Sequence, residues 1–514
     1  MEVELKLFLP RHSIAALRRH PLIAACPQID PPALLENVYY DTPALTLKAA
    51  RVGLRTRRQG QRWLQTVKSA STSTAGLSSR PEWEQPYRGA FDFSKVDDER
   101  VRQLLQRNVD ALVPVFSTHF RRETRRYTPK SGIEIHLMLD IGEIAAGERT
   151  ESLCELELEL VRGEALDLLQ FALRLSADLP LLPDDRSKAE RGYRLHLNTP
   201  LQPVHAHASA ISASMSPLSA FRELASSCMR QWQANVTGAL DNGTTEFLHP
   251  LCASLERLRS LIRIFADVLP PEFVTDWPAR LTAHAKDVGA TRDLDAFAEK
   301  VLPAVVAAEL APADTLKPLC TRLANARATA HREAGNTFDF AAQGRLLLAF
   351  SEALFKLPEH EHPHPDLSNL AATQLENLRI RAQPLHHTAL DCALSDRQAL
   401  RIAVQQLRHG VEFFIPLLPA DAADRYLQTL GRIQYPLDTL QSFDGVHPLL
   451  TEWAQDDPAL MPGVACVNRW HASHHAHMLE RASDAAAALL VHDQTPWARL
   501  CAHSMPDVSN TPPR

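Results

Sequence analysis

No stretch of this 514-residue chain approaches the roughly twenty consecutive apolar residues that a membrane-spanning helix requires. The N-terminus shows neither a basic leader nor an apolar targeting segment. It begins MEVELK, alternating charged and apolar residues. The eight cysteines stand as singletons without a CxxC pair, which fits reduced, buried thiols better than a disulfide framework or a zinc site. A cytoplasmic location is the expectation from these absences. Charge is also nearly balanced, with a net value of −6. Nothing in that balance pulls the whole chain toward nucleic acid or an acidic membrane, so neither is expected as a partner. Any anion site must be a local pocket.

What is present is an ordinary folding composition, 45% hydrophobic and 23% charged, long enough for several domains. Two textures divide it. Up to about Leu197 the chain is a series of short alternating segments, among them EVELKLFL, VGLRTRRQ, RWLQTVKS, RPEWEQP and CELELELV, each with the period of a strand. Ser13 to Arg19 and Ala165 to Leu175 read as intervening helices. A Pro-, Ala- and Ser-rich stretch from Asn198 to Ser219 reads as a linker. Beyond it Leu251, Leu255, Leu258, Ile262, Phe265 and Leu269 recur at helical spacing, as do Val404, Leu407, Val411, Phe414 and Leu418. The segments from about Pro506 onward read as a polar tail. The fold class is therefore α+β: strands over residues 1–199, a linker at 200–217 and an all-α domain over 218–505.

The strands carry chemistry because their polar faces are not mixed. Glu2, Glu4 and Lys6 share a face, as do Arg55 with Arg57 and Thr66 with Lys68. Arg80, Glu82 and Glu84 share another, and Glu155, Glu157 and Glu159 another. Three carboxylates on one strand face repel unless cations sit between them, and paired arginines call for anions. If these faces line the inside of a barrel, the fitting ligand is a polyanion carrying hard divalent ions. Carboxylates bind Mg²⁺ or Mn²⁺ through oxygen, and Arg and Lys bind phosphate oxygens.

At these residues the N-terminal part resembles the CYTH proteins, the triphosphate tunnel metalloenzymes. EVELK looks like their ExExK signature. YYDT at Tyr39, GLRTR at Gly53, TVK at Thr66, RPEWE at Arg80, FRR at Phe120, LDIGEI at Leu139, CELELE at Cys154 and SKAERGY at Ser187 follow in family order. The resemblance implies a closed eight-stranded antiparallel β-barrel tunnel that hydrolyses a triphosphate with Mg²⁺ or Mn²⁺. Carried over by position, Glu2, Glu4, Glu155 and Glu157 would hold the metal, with Asp140 and Glu159 as further ligands. Lys6, Arg55, Arg57, Lys68, Arg122, Lys188 and Arg191 would grip the substrate and serve catalysis. Around Arg122 a one-residue slip would turn Arg121 and Arg125 inward instead.

The helical half resembles CHAD domains, bundles with a basic surface thought to bind polyphosphate. FLHPLCASLERLRSLIRIF, GATRDLDAF and ALRIAVQQLRHGVEFF carry the likeness. His249, Arg257, Arg259, Arg292, Arg401 and Arg408 keep the pattern. Cys252, Glu256 and Gln398 depart from it, which weakens a phosphate groove. Two histidine groups, His360, His362 and His364, and His471, His474, His475 and His477, read more simply as a solvated loop and a helix surface than as metal sites.

The functional expectation is hydrolysis of inorganic triphosphate to pyrophosphate and phosphate, with polyphosphate a candidate partner of the helical domain. Trp63 and Trp83 alternate away from the charged faces, so no base-binding site is evident. The alternatives are a module that binds triphosphate or polyphosphate without turnover, and a triphosphatase or cyclase acting on an organic triphosphate such as ATP.

Overall fold

The computed structural model describes residues 2–500 except 70–71, 208–209, 243–244, 287–290, 359–365, 391–393, 488–494 and 499. His360, His362, His364 and the segment from Pro506 lie outside the described residues. The chain forms two compact units. One comprises residues 1–203, 233–241 and 339–357, and the other comprises 204–232, 242–338 and 358–514.

The first unit is built on one curled antiparallel sheet. Its strands are β1 (Glu2–Phe8), β2 (Gln28–Asp41), β3 (Gly53–Gln59), β4 (Arg62–Lys68), β5 (Thr72–Thr74), β6 (Leu77–Arg80), β7 (Glu82–Pro86), β8 (Val113–Tyr127), β9 (Glu134–Ala146), β10 (Arg149–Arg162) and β11 (Leu182–Pro183). Hydrogen bonding runs β5-β6-β1-β10-β9-β8-β2-β3-β4-β7, with β11 paired to β1. The expected eight strands are thus eleven. Proline lacks the N–H a ladder needs, and Pro81 separates β6 from β7, while the short β5 and β11 add pairs beside β1 and β6. No ladder joins the two ends of the hydrogen-bonded path among the described residues. Those ends nevertheless meet in the chain, since β6 pairs with β1 and β7, one residue later, pairs with β4.

Alternation sorts the side chains of this sheet. Leu5, Leu7, Leu156 and Leu158 turn to the outer face and pack with Leu168, Leu169, Phe171, Ala172 and Leu175 of the helix Ala165–Ser176. The polar residues between them turn inward. A second helix, Lys188–Leu197, lies on β8 and β9, and its approach depends on Gly192, where a Cβ would come within 2.1 Å of the Phe116 ring. A third, Phe340–Phe355, comes from far along the chain and places Leu348 in the same core as Leu156. Gly344 allows that contact, because a Cβ there would fall 2.0 Å from the Leu181 carbonyl oxygen.

The second unit is helical. Both apolar stripes read from the sequence are buried, Leu251 to Leu269 along and just beyond the helix Leu248–Ile264 and Val404 to Leu418 along and just beyond the helix Leu394–Phe414. Phe265 and Phe414 meet at 5.8 Å between ring centroids. No described helix is long and apolar enough to cross a membrane.

Two predictions follow from these contacts. Gly344→Ala should lower the melting temperature although alanine is favoured over glycine in a helix by about 1 kcal/mol, because the methyl group collides with backbone. Gly431→Ala, in the helix Ala420–Asp456 and with open space around it, should raise it. Equal effects of the two changes in thermal melts would show that the 340–355 helix is not seated as described. The second prediction concerns the buried His409, whose Nδ1 lies 3.0 Å from Ser260 Oγ. Burial, reinforced by Arg257, pushes it down from 6.5 to about 4. The folded state therefore holds it neutral while the unfolded state protonates it. Its contribution is complete above pH 6.5 and is lost as pH falls toward 4, about 3 kcal/mol in all. Urea midpoints of His409→Gln should fall less between pH 7 and pH 4.5 than those of the unmutated chain.

Candidate active site

Because Leu156 and Leu158 are committed to the core, Glu155, Glu157 and Glu159 have no choice but the inner face. The register places Lys6 opposite Glu157, Glu4 opposite Glu159, and Asp140 opposite Glu155. Asp140 also faces Arg122 across β8 and β9, so the register turns Arg122 inward. Among the described residues Asp140, Glu155 and Glu157 are the one acidic group whose ligand atoms lie within 4.8 Å of one another. All three are buried.

Cations fill the space among them. Lys188 Nζ lies 2.8 Å from Asp140 Oδ2 and 2.8 Å from Glu157 Oε1, and donates to Glu155 Oε1 as well. Arg122 reaches Asp140 Oδ2 and Glu157 Oε2, each at 2.6 Å. Arg191 donates to Glu155 Oε2 at 3.3 Å, to Glu151 at 2.7 Å and to the Ser152 carbonyl at 2.8 Å. Burial alone would favour neutral carboxyls, but Lys188 and Arg122 hold Glu157 well below the usual carboxylate range. For Glu155 burial wins over the pull of Lys188, and its carboxyl is raised. The ring of Phe120, fully buried, lies beneath both Lys188 and Arg122, 5.1 and 5.6 Å from its centroid.

The other inner wall, from β2, β3, β4 and β7, is cationic. Arg55 and Arg57 share its face with Lys68, and each meets an acid of β7. The distances are 3.6 Å for Arg55 to Glu82, 4.0 Å for Arg57 to Glu84 and 2.6 Å for Lys68 to Glu82. Thr66 donates to Glu84 at 3.0 Å. Arg57 is pulled down to about 10, first by burial and then by the like charges of Arg55 and Arg122. Like charges crowded in this way repel one another.

Lys6 is buried and donates to the Arg186 carbonyl oxygen. Glu4, also buried, accepts from Ser78 Oγ at 3.3 Å and stands outside the acidic triad. Glu2 is placed only by its backbone pairing with Arg80, and its side chain lies outside the described atoms. Glu159 is half-buried, its carboxyl raised by burial.

Sequence reasoning missed Asn37 and Tyr39. Asn37 is fully buried between Arg57 Nε and Thr118 Oγ1, both at 2.9 Å. Tyr39 OH accepts from Arg55 at 3.5 Å and stacks on Phe116. The signal was present: on β2 the buried positions are Leu35, Asn37, Tyr39 and Asp41, and a polar amide in a buried phase needs polar partners. Asp41 was also missed as an anchor. It accepts from Leu47 N, Lys48 N and Tyr193 OH at 2.8–2.9 Å, tying the YYDT turn to the helix that carries Lys188.

Oxygen donors on three buried carboxylates suit a hard divalent cation, and their mutual approach is close enough for one ion to touch all three. The residues therefore fit the expected metal, with Lys188 now among them.

In the helical unit several of the basic residues meet acids. His249, Arg327 and His331 converge on Asp295 at 2.7–2.8 Å. Arg257 pairs with Glu412, Arg292 with Glu256 at 2.9 Å, and Arg408 with Glu412 at 2.9 Å. His471 stacks on Phe443 with ring centroids 3.6 Å apart, and His474 on Trp470 at 5.0 Å, so these histidines are packing residues.

Comparison with known proteins finds two domain families along the chain. Residues 1–193 match the model of the CYTH domain and residues 223–450 that of the CHAD domain. An inorganic triphosphatase of Haemophilus influenzae is 32% identical over 172 residues, which are 31% of this chain and 46% of that one. The match thus spans about half the length of that relative. Among solved structures, the CHAD domain of Ricinus communis is 21% identical, covering 56% of this chain and 97% of that one with a TM-score of 0.47. A Hippeastrum protein described as having a dominant triphosphatase activity is 23% identical, covering 38% of this chain and 95% of that one with a TM-score of 0.27. The chain joins an N-terminal CYTH domain to a C-terminal CHAD domain.

Proposed function

We propose that the CYTH domain hydrolyses inorganic triphosphate to pyrophosphate and phosphate inside a tunnel. In this reading the β6–β7 segment, paired to β1 on one side of Pro81 and to β4 on the other, completes the curl of the sheet. The observation that carries the reading is the facing of two inner walls. Arg55, Arg57 and Lys68 crowd one, and Asp140, Glu155 and Glu157 converge on the other with Arg122 and Lys188. A pure anion binder has no use for the carboxylates, and a pure metal site has none for the arginines.

Each group then has a task. Arg55, Arg57 and Lys68 grip the phosphate chain, and Asn37 and Tyr39 fix the two guanidinium groups. Arg122 and Lys188 stabilise charge on the leaving pyrophosphate. Lys6 and Arg191 hold the segments around Arg186 and Glu155 in place. Asp140, Glu155 and Glu157, joined by Glu2 and Glu4, would hold Mg²⁺ or Mn²⁺, which when bound polarises phosphate oxygens and acidifies water.

Inorganic triphosphate is favoured over an organic one by the aromatic side chains. Trp63 is 41% exposed on the outer face, and Trp83 Nε1 donates to Asp97 at 2.9 Å there. The inner-face ring of Tyr39 already stacks on Phe116, and that of Phe120 is covered by Arg122 and Lys188. Phosphate release should therefore be fastest with inorganic triphosphate when it is compared side by side with ATP and thiamine triphosphate. A preference for either organic substrate would overturn the substrate assignment.

Arg57→Ala removes a charge-assisted contact and should lower kcat/KM by roughly 1.5–3 kcal/mol of transition-state stabilisation. A fall in kcat would place that contact in the transition state, and a rise in KM alone would place it in the ground state. Unchanged kinetics would put Arg57 outside the substrate's path. Glu4→Gln keeps the shape and removes a charge, so turnover at saturating Mg²⁺ should be abolished with the melting curve preserved. Retained turnover would remove Glu4 from the metal's ligands.

A further inference from the structure

Lys188 is committed to the acidic triad: it donates hydrogen bonds to Glu155 and Glu157 and forms an ion pair with Asp140 at 2.8 Å. Its Nζ lies within ion-pair distance of all three carboxylates, Asp140, Glu155 and Glu157. With Arg122 and Arg191 beside it, three positive side chains face three carboxylates. Nζ thus sits where an ion shared by those carboxylates would sit. A Mg²⁺-sized ion holds its oxygens at about 2.1 Å, so it and the ammonium cannot occupy that point together.

The backbone that carries Lys188 is fixed. The preceding Ser187 caps the helix in a reciprocal box with Glu190, Tyr193 is tied to Asp41, and Gly192 lies against Phe116. Any change of partner must come from the flexible side chain alone. Burial makes a change without compensation costly, because three carboxylates would be left without their central cation.

We propose that Lys188 is a built-in counter-ion that holds the triad in place of a divalent ion, and that a triphosphate recruits the ion by drawing Lys188 onto its own oxygens. The polyanion gives the ammonium new acceptors, and the vacated carboxylates then take up the metal. Substrate and ion bind cooperatively as a result, each tightening the other by the same factor. This inference rests on the triphosphatase reading and deepens it by giving the site an order of assembly.

The test follows Mn²⁺ binding to the full chain by the electron paramagnetic resonance signal of free Mn²⁺. Without any phosphate compound, Lys188→Met should bind Mn²⁺ tighter than the unmutated chain by roughly tenfold or more, while Lys188→Arg, which keeps the charge, should not. Binding by Lys188→Met no tighter than by the unmutated chain overturns the proposal. The unmutated chain gives a second measurement that needs no variant to fold. Saturation with imidotriphosphate, whose bridging nitrogens resist hydrolysis, should tighten Mn²⁺ binding by roughly tenfold after correction for Mn²⁺ held by the analogue itself. Equal affinities with and without the analogue, alongside intact metal-dependent cleavage of inorganic triphosphate, overturn the counter-ion role and leave the hydrolase reading standing. No cleavage under any metal overturns both.

Discussion

Burying three carboxylates together is the constraint on which the first domain depends. Like charges this close in a medium that screens poorly cannot stay ionised unless cations come with them. The fold supplies those cations from two directions. Arg122 comes from the neighbouring strand pair, and Lys188 and Arg191 come from a helix more than thirty residues further along the chain. The helix must therefore lie close, which fixes Gly192 against Phe116 and Tyr193 onto Asp41. Asp41 in turn organises the turn that follows β2. A single electrostatic demand thus reaches the first strand, the YYDT turn and the last helix of the domain.

The same demand divides the inner face into two walls. Had the cations all been spent on the triad, the site would be neutral and closed to anions. Instead Arg55, Arg57 and Lys68 stand on the opposite wall beside Glu82 and Glu84, and Arg57 feels the repulsion of Arg55 and Arg122. In the proposed function, such partial compensation would let a phosphate chain displace existing contacts at modest cost. In the helical unit Arg257 and Arg408 share Glu412, Arg292 takes Glu256, and Asp295 gathers three basic groups. Glu256 stands where a further cation would have added to a basic surface.

Much of this was legible in the sequence because strands alternate strictly. Once Leu156 and Leu158 are assigned to the core, Glu155 and Glu157 can only point inward, and the same holds for Arg55 and Arg57 on either side of the buried Thr56 backbone. What alternation cannot supply is pairing across the sheet. The choice between Arg122 and its neighbours waited on the register that sets it opposite Asp140, and the count of strands waited on what Pro81 does to one of them. The helix at 340–355 was unreadable as part of the first unit, because its only local mark is a glycine whose reason lies against Leu181. The contacts of Lys188 were hidden for the same reason: its partners are remote in sequence, and its residue type announced only a positive charge.

The chemistry at the two facing walls decides what the first domain does. Phosphorus-31 NMR of inorganic triphosphate incubated with the full chain tests it most directly, with Mg²⁺ or Mn²⁺ in one arm and a chelator in the other. The prediction is loss of the triphosphate signals with equal molar appearance of pyrophosphate and orthophosphate in the metal arm alone. Persistence of triphosphate in both arms, or its loss in the chelator arm at an undiminished rate, would contradict it.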